Sequence, residues 1–139
     1  MTGEEKKTTI RRFFAALDDQ DLAAVGDLLA TDYRLHFDGN PEMDQEGGLG
    51  FFGAFLAAFP DIRHQVEDQL VDGDRVATRI VVSGTHQHEM MGIPASGRPI
   101  AIGAINIIRF EDGKIAEHWV NSDTLGMLGQ LGVLPPPGA

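Results

Sequence analysis

Near Pro60 the spacing of apolar residues along this chain changes from three or four to two, and that change dictates the fold class. Upstream, Ile10, Phe13, Phe14 and Leu17 recur at i, i+3, i+4 and i+7, which is one face of a helix over Glu4 to Leu17. Asp21 is placed to cap a second helix, in which Leu22, Val25, Leu28 and Leu29 keep the same period. Phe51, Phe52, Phe55, Leu56 and Phe59 give a third helix an aromatic face that ends before Pro60. Between the second and third helices, Tyr33 to Phe37 alternates as a short strand. From Gln65 onward, QVEDQLV, RVATRIVVSGTHQH, PIAIGAINIIRF and KIAEHWVNSD read as four strands, and TLGMLGQLG reads as a short terminal helix. Helices followed by strands predict an α+β fold, with the helices laid on one face of an antiparallel sheet. A curved sheet covered in this way makes a cone with a central cavity.

At 139 residues, the expected organisation is one domain over 1–134 and a Pro-rich tail over 135–139. Eleven basic against twenty-one acidic residues leave a formal charge of −10 with no Lys/Arg cluster to offset it. Such a field repels phosphate backbones and anionic membrane surfaces, so neither nucleic acid nor membrane is expected as a partner. The chain has no cysteine, which removes thiolate metal sites and cysteine nucleophiles. The charged opening MTGEEKKTTI lacks the apolar core of a signal peptide, and a cytoplasmic location is the expectation. No Gly-rich nucleotide fingerprint, Walker sequence or G-x-S-x-G elbow is present.

Asp112-Gly113 is a favoured type I′ hairpin pair, and it predicts the register of the last two strands. Ile108 then lies opposite Glu117, Asn106 opposite Trp119, and Ala104 opposite Asn121. One sheet face therefore gathers Trp119, Asn106, Glu117, Asn121 and Asp123 among three isoleucines, a mixture suited to a ligand cavity rather than a filled core. The opposite face carries Ile105, Ile107, His118 and Val120, and this reading turns His118 away from the cavity.

Asp123, just before the terminal helix, reads either as an acid/base carboxylate or as a helix cap. His86 and His88 share a strand face, but no compact motif completes a metal ligand set, so no metal is expected; His86 alone is placed to hydrogen-bond or transfer a proton at a pocket mouth. Arg79 pairs across the first hairpin with Asp68, either structurally or to polarise a substrate oxygen. Phe55 belongs to the aromatic helix face, and Met91 lies in a Gly- and Pro-containing loop where a thioether adapts to apolar ligands.

The stretches FPDIRHQVEDQLVDGDRVATRIVVSGTHQHEMMGIPASGRPI and RFEDGKIAEHWVNSDTLGMLGQLG resemble the SnoaL-like polyketide cyclases of the nuclear-transport-factor-2-like superfamily. The elements FPD, DGDRVA, GTH, GIPASGR, DGKIAEHW and the aspartate before TLG stand in family order, and the likeness covers Ile10 to Val133. The resemblance implies the cone-shaped α+β fold, a homodimer through the outer sheet face, and cofactor-free ring closure by intramolecular aldol condensation. It makes Asp123 the acid/base and puts Asn121 where some members have a histidine. It also matches His36 and His86 to histidines of the family, with His36 lining the cavity.

The combined expectation is a cofactor-independent acid/base enzyme, most simply a polyketide or ester cyclase, acting on a small apolar carbonyl compound. Asp123 and His86 are the catalytic candidates. Trp119, Asn121, Asn106, His36, Arg79, Phe55 and Met91 are the substrate-binding candidates. Two alternatives stay open: an epoxide hydrolase or isomerase using Asp68, Arg79 and Asp123, and a non-catalytic ligand-binding dimer.

Overall fold

The computed structural model describes residues 1–134; the expected Pro-rich tail lies outside the described residues. The elements run α1 (Gly3–Asp18), α2 (Leu22–Asp27), β1 (Leu29–Phe37), α3 (Gln45–Ala58), β2 (Arg63–Asp72), β3 (Arg75–Thr85), β4 (Pro99–Glu111), β5 (Lys114–Ser122) and α4 (Thr124–Gln130). Each helix begins where a short polar side chain satisfies one of its unpaired amides. Thr2, Asp21, Asp44 and Asp123 accept hydrogen bonds from the backbone N–H of Glu5, Ala24, Gly47 and Gly126 respectively.

The α+β expectation holds, with one addition. The five strands form a single sheet in the order β1-β5-β4-β3-β2, and β1 lies parallel to β5 beside an otherwise antiparallel meander. The strand expected only over Tyr33 to Phe37 begins at Leu29 and supplies this edge. The turn joining β4 to β5 has φ of 50° at Asp112 and 77° at Gly113, the left-handed pair that a type I′ turn requires.

The apolar faces of α1 and α3 pack over the concave side of the sheet. Ile10, Phe13 and Phe59 are fully buried there beside Tyr33, Leu35, Val76, Ile108 and Ile115. Each such side chain contributes roughly 1.5–3 kcal/mol on leaving water. The packing is incomplete at the centre, where the curved sheet and the two helices stand apart and leave a cavity.

Candidate functional site

The cavity has a volume of about 540 Å³ and is lined mainly by aromatic and aliphatic side chains of α1, α3 and the inward rows of β2 to β5. That is within the range of small-molecule sites, roughly 300–1,000 Å³. Its exposed lining residues, Asn40, Met91, Asn121, Asp123 and Leu125, mark the mouth; the buried ones, Phe13, Ile80, Asn106 and His118 among them, mark the interior.

The register expected for the last hairpin fails at one residue. Glu111 pairs with Lys114 and Phe110 with Ile115, as the turn dictates, but Arg109 then pairs with Glu117 and Ile108 with His118. Ala116 is the extra residue of a β-bulge, and it is buried next to the equally buried Ile115. One inserted residue turns every later side chain to the other face. His118 and Val120 therefore line the cavity, whereas Trp119 and Glu117 lie on the outer face, and Asn121, expected inward, pairs with the exposed Ile105 and touches the cavity only at its rim. Asn106, Ala104 and Ile102 point inward as expected.

Trp119 is thus corrected from cavity wall to outer sheet surface, where it stacks on His36 at 5.4 Å and carries the Arg75 guanidinium 5.1 Å from its ring centre. His36 is corrected with it: its Nε2 lies 2.8 Å from Glu117 Oε2, on the convex side. Arg79 also faces outward, because it pairs with Asp68 and with Ile105, which is 52% exposed. Asp68 and Arg79 consequently do not converge with Asp123, and the arrangement needed for epoxide hydrolysis is not assembled. His86 is buried, but it lies behind Phe59, on which it stacks, and does not line the cavity. Its Nδ1 accepts a hydrogen bond from the Ser96 N–H at 3.2 Å, tying β3 to the loop that carries Met91. The outer faces of β4 and β5 expose Ile105 and Ile107, but Val120 is not available there for a subunit contact.

His36, Glu42 and Glu117 bring three potential metal-ligand atoms within 4.8 Å of one another. Arg34 lies 3.8 Å from Glu42 and Arg109 lies 3.5 Å from Glu117, so cations of the chain already neutralise both carboxylates.

The interior polar groups form one chain. Tyr33 Oη lies 3.0 Å from His118 Nδ1, and His118 Nε2 lies 2.6 Å from Asn106 Oδ1. The carbonyl oxygen can only accept, so Nε2 carries the imidazole proton and Nδ1 accepts the Tyr33 hydroxyl. The reverse arrangement would leave the buried Tyr33 O–H with no acceptor. Burial, aided by the charge of His36, pushes His118 down to about 3, so the ring is neutral; burial also pushes the Tyr33 phenol well up. The hydrogen-bonded series ends at Asn106 Nδ2, a buried donor with no partner among the described residues. An unmade hydrogen bond of this kind costs about 1–3 kcal/mol.

At the mouth, Asp123 performs the capping role on α4, its Oδ1 2.9 Å from Gly126 N, and also borders the cavity. Asp38 sits beside it in a left-handed conformation, φ 42°. Its carboxylate accepts from Ser122 N at 2.8 Å, from the Ser122 hydroxyl, and from Thr124 Oγ1 at 2.9 Å. Sequence reasoning passed over Asp38 and His64, and it turned His118 to the wrong face. The adjacent apolar pair Ile115-Ala116 in an alternating strand is the signal that would have exposed the bulge and with it His118.

Comparison with known proteins gives a consistent result. The SnoaL-like polyketide cyclase family model matches residues 8–131. The aklanonic acid methyl ester cyclase DnrD of Streptomyces peucetius is 36% identical over 76 residues, 54% of this chain and 52% of DnrD. DauD of Streptomyces sp. (strain C5), of the same description, is 38% identical over 61 residues, 44% of this chain and 38% of DauD. The matched stretches thus span about half or less of these curated relatives. Among solved structures, AclR of Streptomyces galilaeus, a candidate hydroxylase, superposes with a TM-score of 0.88 at 31% identity, covering 96% of this chain and 100% of AclR. IdmH of Streptomyces antibioticus, a candidate polyketide cyclase, superposes with a TM-score of 0.81 at 39% identity, covering 91% of this chain and 97% of IdmH. The matching family model, the cone fold and the cavity agree, and the chain belongs to the SnoaL-like polyketide cyclase family.

Proposed function

We propose that this protein closes a ring on a small polyketide β-keto ester by intramolecular aldol condensation, with no cofactor. Asp123 takes a proton from the activated carbon between the ketone and the ester. The resulting enolate carbon attacks a second ketone of the same molecule; a C–C bond forms, the C=O π bond breaks, and the new alkoxide gains a proton. No electrons are gained or lost and the proton removed is balanced by the proton added, so the reaction needs neither oxidant nor reductant. The apolar walls hold the ring system, and Asn106 Nδ2, its polarity set by His118 and Tyr33, donates to a substrate oxygen. Phe55 and Met91 border the same space and complete the binding surface, with Asn121 at its exposed rim. Homodimerisation through exposed Ile105 and Ile107, in a cytoplasmic setting, belongs to the same reading.

The observation that carries this proposal is a mainly apolar cavity with a carboxylate at its rim and an unpartnered amide in its interior. Aklanonic acid methyl ester is the first substrate to test, because the curated relatives are named for its cyclisation. Asn caps helices as well as Asp, so Asp123→Asn preserves α4 and leaves the thermal midpoint nearly unchanged. Ring closure, followed by chromatography, drops by a factor of about 10²–10⁴ in that variant, the usual worth of a general acid/base. Undiminished turnover in Asp123→Asn would remove the acid/base assignment.

A further inference from the structure

On the flank of the cavity away from Asp123 lies a second arrangement that the proposed reaction has not used. His64, on β2, lines the cavity and stacks on Phe14 at 5.3 Å. Its Nδ1 lies 2.7 Å from Oδ1 of Asp18, the last residue of α1. The same carboxylate accepts the His64 backbone N–H, at 3.1 Å to Oδ1 and 3.2 Å to Oδ2, so ring and main chain are clamped together. Only 11% of the His64 side chain and 16% of that of Asp18 is exposed. A carboxylate oxygen accepts here, so Nδ1 carries a proton and Nε2 is the nitrogen left uncommitted. Among the described residues Nε2 has no hydrogen-bond partner, yet it is not among the side-chain atoms sealed from solvent without one.

Sheet register fixes where this group stands relative to Asp123. His64 pairs with Val82, and Val82 pairs with Ile102. Asp123 donates its N–H to the carbonyl of Gly103, the next residue of β4. One row across the sheet therefore runs from His64 to Asp123 in three strand steps, roughly 14 Å at about 4.8 Å each, before curvature brings the ends together. A flat polycyclic guest on the apolar floor would have one group at each edge.

We infer that the two proton transfers are divided, and that the Asp18-held imidazole of His64 is the acid that protonates the aldol oxygen. The inference rests on the cyclase reading and deepens it. Asp123 takes the carbon proton; the C–C bond forms as the carbonyl π bond breaks; the alkoxide takes the Nε2 proton of the His64 imidazolium. Asp123 then gives its proton to water at the mouth and His64 regains one, which closes the cycle without a co-reactant. Asp18 serves as a positioning residue, holding Nδ1–H throughout.

The test separates the two steps on one substrate, the β-keto ester named above. In D₂O, hydrogen–deuterium exchange at the activated carbon, read by NMR, reports the first transfer; chromatography reports ring closure. His64→Ala is expected to keep exchange at the wild-type rate, to lose ring closure by about 10²–10⁴-fold, and to regain part of it with added imidazole, which fits the space vacated. His64→Phe, which restores the packing on Phe14 but not the bond to Asp18, is expected to keep exchange and to give no imidazole rescue. Ring closure by His64→Ala at the wild-type rate, or equal loss of exchange and closure without rescue, overturns the assignment of His64 and leaves the cyclase reading standing. A wild-type protein that neither exchanges nor closes this ester overturns both.

Discussion

His118 makes a quantitative statement about acid stability. In the unfolded chain its imidazole takes up a proton as the pH falls through about 6.5, whereas in the folded protein burial holds it neutral until about 3. Between those values the unfolded state binds more protons, so stability falls as the solution is acidified. Integrating one such proton from pH 7 to pH 5 gives a loss of about 2 kcal/mol. That figure needs only an ordinary unfolded-state imidazole and a folded ring that stays neutral at pH 5. Substitution by glutamine tests it, because Gln can accept from Tyr33 and donate to Asn106 but cannot titrate.

Urea unfolding of wild type and His118→Gln at intervals from pH 7 to pH 5 supplies both curves. The variant is the less stable at neutral pH, since it packs the site less well, but the gap narrows by about 2 kcal/mol on acidification. Carboxylates and the other histidines titrate alike in both proteins and cancel in the difference. Parallel curves would mean that His118 accepts a proton in the folded state, and the deduced direction of every hydrogen bond from Tyr33 to Asn106 would fall with them.

Four further substitutions test the same geometry. Tyr33→Phe removes the one donor to His118 Nδ1 and orphans a buried acceptor, which costs about 1–3 kcal/mol in urea unfolding and lowers ring closure by releasing the Asn106 amide. Gly126→Ala would place a methyl group on the Asp123 carboxylate, so the carboxylate must turn aside. Activity should fall with the α4 cap, a loss of about 1 kcal/mol visible in the thermal midpoint. Phe55→Ala weakens substrate binding roughly tenfold, about 1.4 kcal/mol, whereas Arg79→Ala, on the convex face, leaves steady-state KM unchanged.

The period change near Pro60 was sufficient to place the helices and the strand meander, because amphipathic spacing is a local property that tertiary contacts reinforce. The first pairs of the β4–β5 hairpin were equally legible, since Asp112-Gly113 fixes them through backbone conformation alone. The assignment of faces was not, because it propagates along the strand from the turn and a single bulge at Ala116 reverses it. Residues before the bulge on β4, such as Asn106, stayed where the pattern put them; residues after it on β5 exchanged sides, so Trp119 left the cavity and His118 entered it. The dyad of His64 and Asp18 lies beyond any local rule, for its members are 46 positions apart and meet only because the end of α1 abuts the start of β2. Yet its ingredients were visible: Asp18 follows Phe14 by four residues on the buried helix face, and His64 alternates with Val66 on the strand. Each reads as an ordinary end-of-element polar residue alone. What makes them chemical is that the cavity leaves one nitrogen of the pair uncommitted, and the size of that opening is a property of the packed molecule.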